Sequence, residues 1–109
     1  MDLQKILADH AEWINNFRNG KCVNLRGANL RGVNLRGVNL RGANLDFSCW
    51  PLWCGSLGVK VDARIVNQLV YHLCSVDCAD EDFQVVRPIL LRLANKFHRV
   101  ESGMCPALK

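Results

Sequence analysis

The feature that most constrains this sequence is a five-residue period running from Val23 to Phe47, VNLRGANLRGVNLRGVNLRGANLDF. Each unit has valine or alanine first, asparagine second and leucine third, and the first four units end in Arg-Gly. A strand presents the same face every two residues and an α-helix about every 3.6, so neither element explains a period of five. The chain must therefore bend at the same place in each unit.

Each position of the unit has a physical interpretation. The leucine is expected to fill an enclosed interior, and the smaller valine or alanine suits the tighter space near a bend. Asparagine can bond to local turn backbone, and glycine accepts dihedral angles that other residues avoid. The Gly, Asn and Arg content alone is also compatible with a disordered low-complexity tract, but such a tract lacks an apolar pair in every unit.

These units resemble the pentapeptide-repeat family, whose units read Ala, Asn or Asp, Leu and two variable residues. The resemblance covers residues 22–47 well and extends toward Cys54. It implies a mixed α+β fold containing a short, right-handed, quadrilateral parallel β-helix in which four units make one coil. The leucine and the small residue point inward, and the residues beside the leucine point outward. Trp50 and Gly55 as further central positions would extend one coil toward two.

The flanking segments are predicted to be helical. A single domain over residues 1–109 is expected, with a capping helix in 1–20, the repeats and an aromatic, cysteine-containing plug in 21–57, and a helical cap in 58–109. Apolar periodicity places the helices at 2–18, 62–77 and 80–99. We expect a kink or a break at Pro88 and a loose tail from Gly103 onward.

The helices are needed because so short a repeat has almost no stacked neighbours. A solenoid is stabilised by contacts between successive coils, and its uncovered ends expose apolar side chains and unpaired backbone. We therefore expect a helix to cover each end of the repeat. A homodimer through an end that stays open is a further expectation.

The net charge of +4 lies in the repeats. Residues 21–45 carry five basic and no acidic residues, whereas residues 1–20 sum to −1 and residues 46–109 to zero. Four arginines follow the central leucines and are expected to form an outward-facing belt. They are the first candidates for binding a partner: Arg26, Arg31, Arg36 and Arg41. Three interpretations stay open, namely an acidic protein or charged small molecule, a nucleic acid, and a solvated surface.

The segment Cys49–Leu57, CWPLWCGSL, adds aromatic candidates. Trp50, Leu52 and Trp53 could act as a hydrophobic plug over the open repeat. The alternative is an aromatic platform for a partner, so Trp50 and Trp53 join the predicted partner-binding residues.

The cysteines raise the question of a metal site. Cys49, Cys54, Cys74 and Cys78 could supply the four ligands of a structural zinc ion. Their spacing matches no familiar zinc signature, and Cys74 lies where a small apolar core residue would fit equally well. We therefore predict no cofactor, with structural zinc as the alternative. Cys22 is predicted to face the interior of the repeat.

The sequence lacks the motifs of an enzyme. It has no phosphate-binding loop, no nucleophile motif and no pair of carboxylates placed for acid–base chemistry. His10 lies on an apolar helix face, as expected of a packed residue, although a catalytic pair of His72 with Cys54 or Cys74 stays open. No apolar run approaches the roughly 18 residues of a membrane span, and no signal peptide is apparent. We expect a non-enzymatic cytoplasmic protein with reduced cysteines, in the host cell if it is phage-encoded.

The family resemblance directs the functional hypothesis. The best-understood members resemble duplex DNA and act on DNA gyrase, a role that needs a long acidic rod, whereas this repeat is short and basic. What the resemblance implies is a non-catalytic surface that engages another macromolecule. We predict a protein–protein interaction module acting as a stoichiometric inhibitor. Its size and plan are similar to those of phage-encoded counter-defence proteins such as anti-CRISPR proteins. The alternative is a small nucleic-acid-binding or zinc-stabilised module that binds phosphate groups through the repeat arginines.

Overall fold

A computed structural model describes residues 3–15 and 23–109. This part of the chain contains four helices: α1 (Leu3–Asn15), α2 (Ala63–Cys74), α3 (Glu81–Ala94) and α4 (His98–Glu101). The chain divides into two compact units, Met1–Asp62 and Ala63–Lys109. That they act as one domain, with the second unit as a cap, stays a prediction.

In the first unit, the repeat segment (residues 23–62) returns beside itself about every twenty residues. Isolated parallel bridges join Asn24 to Asn44, Asn29 to Cys49 and Asn39 to Lys60. The bridges are made by backbone hydrogen bonds, such as Leu25 N–H to the Asn44 carbonyl at 2.8 Å and Leu40 N–H to the Lys60 carbonyl at 2.7 Å. The offset between paired residues is therefore 20 at the first two bridges and 21 at the third.

The predicted fold class is wrong, because the described residues contain no β-strand and no sheet, and hence no quadrilateral β-helix. A strand requires consecutive bridged residues. Here a side of the repeat segment contributes at most one bridge before its next residues enter a turn. The regular elements of the described chain are helices, and the repeat segment consists of turns linked by single bridges.

The leucines form the core of the repeat segment, as predicted. Leu25, Leu30, Leu35 and Leu40 are at most 1% exposed and Leu45 is 5% exposed, while Val23 and Ala43 are buried beside them. Burying one such side chain contributes roughly 1.5–3 kcal/mol. A segment without strands is thus organised around a continuous apolar interior.

A β-turn follows each of these leucines. The first residue of the next unit donates its N–H to the leucine carbonyl, as in Ala28 to Leu25 at 2.9 Å and Val38 to Leu35 at 3.0 Å. Three of the Arg-Gly turns have glycine at positive φ, which is the geometry of a type II turn: Gly27, Gly37 and Gly42. The asparagine Oδ1 accepts the N–H two residues later, as at Arg26 and Arg36, both at 3.1 Å. The predicted roles of asparagine and glycine are confirmed.

One extra residue changes the register on the third side of the repeat segment. The equivalent leucines Leu25 and Leu30 donate their N–H groups to the carbonyls of Asn44 and Cys49, each 19 residues later. The Leu35 N–H instead donates to the Gly55 carbonyl, 20 residues later, at 2.7 Å. Gly55 therefore occupies the asparagine-type position and not the central position predicted for it. The insertion lies between Cys49 and Gly55, in the aromatic segment.

Helix α1 is joined to the start of the repeat segment through His10, which is fully buried. The His10 Nδ1 accepts the Val23 N–H at 3.0 Å, and the Trp13 ring stacks on the imidazole with centroids 5.5 Å apart. Trp13 also covers the turn at Gly42, where an added Cβ would lie 2.9 Å from the indole. The predicted ends of this helix, at Asp2 and Arg18, and the predicted inward position of Cys22 fall outside the described residues.

The second unit packs α2, α3 and α4 around Tyr71, Cys74, Ala94 and Phe97. The helix predicted at 62–77 ends at Cys74, and the one predicted at 80–99 divides into α3 and α4. Pro88 lies inside α3, so the break does not occur there. The break lies between Ala94 and His98. The extended backbone of Phe97 there places its fully buried ring against Tyr71, with the two ring centroids 5.0 Å apart.

The predicted loose tail is instead held by hydrogen bonds. Asn95 pairs with the Leu108 backbone in both directions, at 2.8 and 3.0 Å, and the Tyr71 hydroxyl donates to the Pro106 carbonyl at 2.8 Å. Arg87 Nη1 also donates to the backbone oxygen of Lys109 at 2.9 Å. The hydrogen bonds from Tyr71 to Pro106 and from Arg87 to Lys109 join residues that are 35 and 22 positions apart in the chain. A local sequence pattern does not reveal contacts over such separations. None of the helices within residues 3–15 and 23–109 is long and apolar enough to cross a membrane.

Replacing a central leucine should destabilise the first unit. Leu35→Ala removes a fully buried side chain and is expected to lower the free energy of unfolding by about 3 kcal/mol. Because all three tryptophans lie in the first unit, denaturant unfolding followed by tryptophan fluorescence measures this unit selectively. The control Leu52→Ala, at a side chain that is 92% exposed, should change stability by less than about 0.5 kcal/mol. Equal effects of the two substitutions would contradict the enclosed core.

The contact of α1 with the repeat segment should weaken in acid. Burial lowers the pKa of His10, partly offset by its interaction with the Arg41 backbone. Below about pH 6.5 the unfolded chain therefore binds more protons at His10 than the folded chain does. The contribution of His10 to the free energy of unfolding is fully present above that pH and is lost as the pH falls below it. Protonation of Nδ1 would also remove the acceptor of the Val23 N–H. His10→Asn, which keeps an acceptor that does not titrate, should show a smaller loss of unfolding free energy between neutral and acidic pH; the same loss in both proteins would contradict this role.

Candidate protein-interaction surface

The four repeat arginines lie at equivalent, exposed positions of successive turns, as predicted: Arg26, Arg31, Arg36 and Arg41. Each backbone N–H donates to the asparagine Oδ1 two residues earlier at 3.1 Å. The turn therefore fixes the point from which each side chain leaves the chain. A guanidinium that leaves an ordered backbone loses less conformational entropy on binding than one on a mobile loop.

Arg36 is further ordered by the inserted aromatic segment. Its guanidinium lies 5.2 Å from the Trp53 ring centroid, and its Nε donates to the Cys54 carbonyl at 3.1 Å. Trp53 in turn lies over Gly55, where an added Cβ would be 2.6 Å from the indole. Trp53 is nevertheless 46% exposed, so the pair presents a flat aromatic surface beside a fixed positive charge.

Arg26 makes the same kind of pair with Phe47, at 4.8 Å from the ring centroid. Phe47 occupies the position that glycine has in the first four units, and its φ is 63°. Left-handed backbone costs a residue with a side chain roughly 1–2 kcal/mol. The ring is 53% exposed, so burial does not offset this cost fully. Retained backbone strain of this kind is most often found where a side chain has a functional task.

Phe47 is a candidate residue that the sequence prediction missed. The signal in the sequence is the change from Arg-Gly to Asp-Phe in the fifth repeat. With an offset of 20 between paired residues, position 47 lies beside position 27, next to Arg26. The hydrogen bond from Gly27 N–H to the Asp46 carbonyl at 2.8 Å confirms that the two turns are adjacent.

The remaining residues that the sequence predicted for binding or for the plug form no such arginine–aromatic pair among the described residues. No aromatic ring lies over Arg31 or Arg41 in the part of the chain that is described. Trp50 is half-buried, and Pro51 beside it is fully buried. Leu52, expected in the hydrophobic plug, is 92% exposed and covers no core. The exposed aromatic surface is therefore provided by Trp53 and Phe47, each beside an arginine.

The cysteines proposed as zinc ligands do not form a recognisable site. Cys49, Cys54 and Cys78 are exposed free thiols, and Cys74 is buried in the core of the second unit. Helix α2 ends at Cys74, so Cys78 is not one helical turn further along the same helix. Among residues 3–15 and 23–109, no group of three or more His, Cys, Asp or Glu is placed to hold a metal ion.

The histidine considered for a catalytic pair has a simple environment. Partial burial lowers the pKa of His72, and the positive charge of Arg99 lowers it further. The imidazole packs edge-on against Tyr71 and Phe97, with centroids 5.6 Å apart in both cases. Cys74, one of its two suggested partners, is fully buried in the core. His72 itself is exposed and lies against these two core rings at the surface of the second unit.

Comparison with known proteins identifies the repeat. Residues 21–49, about a quarter of the chain, match the family model described as "Pentapeptide repeats (8 copies)". Searches of curated proteins and of solved structures gave no match. The family resemblance seen in the five-residue units is thereby confirmed, and residues 21–49 are similar to the pentapeptide repeats of that family.

Proposed function

We propose that this protein is a non-enzymatic interaction module that binds one protein partner and acts as its stoichiometric inhibitor. The observation that supports this most directly is the repeated arginine–aromatic pair, Arg26 with Phe47 and Arg36 with Trp53. Both rings are about half exposed, and one of them is held at a backbone angle unfavourable for its residue type. Arginine and tryptophan are among the residue types enriched at the energetically dominant positions of protein interfaces.

The chemistry of these pairs supports a particular class of partner. A guanidinium supported by an aromatic ring offers a planar fork of donors that matches a carboxylate, beside an apolar face that can be covered. The repeat contributes five positive charges and no negative ones over residues 21–45. The proposed partner therefore presents acidic side chains next to apolar ones.

Nucleic-acid binding is less well supported by the same contacts. A phosphate backbone is bound by several cations along one surface. Arg26 and Arg36 belong to turns ten residues apart, with the turn of Arg31 between them, and each guanidinium is already stacked on its own ring. The proposal accordingly favours a protein partner, with nucleic acid as the outcome that would displace it.

The proposed form of inhibition is occupation of a partner's site, which an ordered binding surface suits. A phage-type counter-defence inhibitor, such as an anti-CRISPR protein, is the specific form of the proposal and rests on analogy of size and plan. The free thiols of the described cysteines suit action in a reducing cytoplasm.

Charge reversal at the paired arginines tests the proposal. Tagged protein is used to capture partners from a lysate treated with nuclease, and the captured protein is then purified for affinity measurements. Arg26→Glu and Arg36→Glu should each weaken binding about tenfold or more, because each removes a preorganised cation and introduces repulsion. Arg64→Glu, at an exposed arginine of α2 outside the repeat, is the matched control and should bind normally. Unchanged affinity of both repeat variants, or recovery of nucleic acid alone from untreated lysate, would contradict the proposal.

Substitution of Phe47 separates binding from stability. Phe47→Gly relieves roughly 1–2 kcal/mol of backbone strain but loses a cation–π contact worth about 0.5–1 kcal/mol and adds chain entropy in the unfolded state. The free energy of unfolding should therefore stay within about 1 kcal/mol of the parent value while partner affinity falls. Phe47→Tyr keeps the ring and should bind like the parent protein. Full affinity of the glycine variant would exclude Phe47 from the binding surface.

A further inference from the structure

Helix α3 carries an apolar face that points to solvent. Four of its side chains are exposed, with exposed fractions of 72% at Val85, 43% at Val86, 68% at Ile89 and 36% at Leu93. At 100° per residue these positions fall within about one third of the helix circumference. The opposite side of α3 packs on α2 through Leu90, Leu91 and Ala94. Isolated exposed apolar residues are ordinary, but four on one helical face form an apolar patch of the kind that marks interaction sites.

The charges on this helix are arranged in a self-complementary way. Asp82 lies in the first turn, Arg92 in the last, and Lys96 just beyond the end of the helix. All three side chains are exposed, and none forms an ion pair within residues 3–15 and 23–109. The acidic end of one such helix therefore matches the basic end of another that runs in the opposite direction.

We propose that the outer face of α3 binds a second copy of this chain through an antiparallel pairing of the two α3 helices. A two-fold axis at Ile89 places Val85 opposite Leu93 of the second copy, since both lie four residues from Ile89. The same axis places Asp82 opposite Lys96 of the second copy, each seven residues away. An isologous interface of this kind is the commonest in soluble oligomers. It differs from a dimer formed through an open end of the repeat.

The area available is sufficient for a reversible dimer. The four apolar side chains expose roughly 400 Å² per copy, and the aliphatic parts of Arg92 and Lys96 extend the patch, so that both copies together bury on the order of 1,000 Å². Interfaces near this size are at the lower end of those that are specific. The dimer should therefore depend on concentration.

Analytical ultracentrifugation over a range of micromolar concentrations tests the pairing. The parent protein should reversibly approach twice the monomer mass. Ile89→Asp places two carboxylates at the two-fold axis and should raise the dissociation constant at least about 30-fold. Leu52→Asp, at a more exposed apolar side chain outside α3, is the matched control and should dimerise normally.

Charge exchange tests the antiparallel register. Asp82→Lys places two lysines opposite each other at both ends and should weaken the dimer about tenfold. The double variant Asp82→Lys, Lys96→Asp restores opposite charges and should return the dissociation constant to within about threefold of the parent value. All substituted side chains are exposed, and circular dichroism checks that each variant keeps its helices.

The outcomes are distinct. Loss of the dimer in Ile89→Asp and in Asp82→Lys, with recovery in the double variant, supports the proposal. A parent protein that is monomeric at every concentration overturns it and leaves the face to a partner of another kind. A dimer that survives Ile89→Asp, or a double variant as dissociated as the single one, overturns it as well. The arginine–aromatic pairs are unchanged in all these variants, so this result is independent of the proposed inhibitor function.

Discussion

The first compact unit depends on one constraint, which is the enclosure of five leucine side chains by the backbone of the repeat segment. That backbone pairs with itself through bridges between residues 20 or 21 positions apart. Residues 23–62 contain no strand, so no continuous ladder of hydrogen bonds holds the five-residue repeats in place. Instead, single bridges, a β-turn after each leucine and the buried apolar interior act together. The spacing of five determines which side chains are enclosed and which are exposed. The outward position of every repeat arginine is a direct consequence.

The same constraint links the fold to the candidate binding surface. Because the chain returns beside itself, residues 46–57 lie against the turns that carry Arg26 and Arg36, and they supply the aromatic rings for both. The one-residue insertion before Gly55 brings Trp53 over Arg36, and the replacement of glycine by Phe47 brings a ring to Arg26 at the expense of backbone strain. Both departures from the regular repeat thus occur where an arginine is stacked.

The sequence predicted those features that repeat or are local. Burial of Leu35, exposure of Arg31 and the asparagine-capped turns all follow from the five-residue unit. The predicted β-helix was wrong because each side of the repeat segment makes at most one bridge before the chain turns, whereas a strand requires consecutive bridged residues. The tail contact of Tyr71 with Pro106 joins residues far apart in the chain, and no short pattern encodes it. The pairing of Arg26 with Phe47, by contrast, follows from the 20-residue offset and from the missing glycine of the fifth repeat. Pro88 was overestimated as a breaker, since α3 continues through it to Ala94 and the break before α4 lies where Phe97 turns into the core.

The most direct test of this account is a set of nuclear Overhauser contacts between backbone protons in the first unit. We predict contacts between the amide proton of Leu25 and the α-protons of Asn44 and Leu45, and likewise between Leu30 and Cys49. The number of residues between the two partners should increase by one at the contact of Leu40 with Lys60. Only sequential and medium-range contacts over residues 23–62, or long-range contacts with no increase in offset after Cys49, would contradict it.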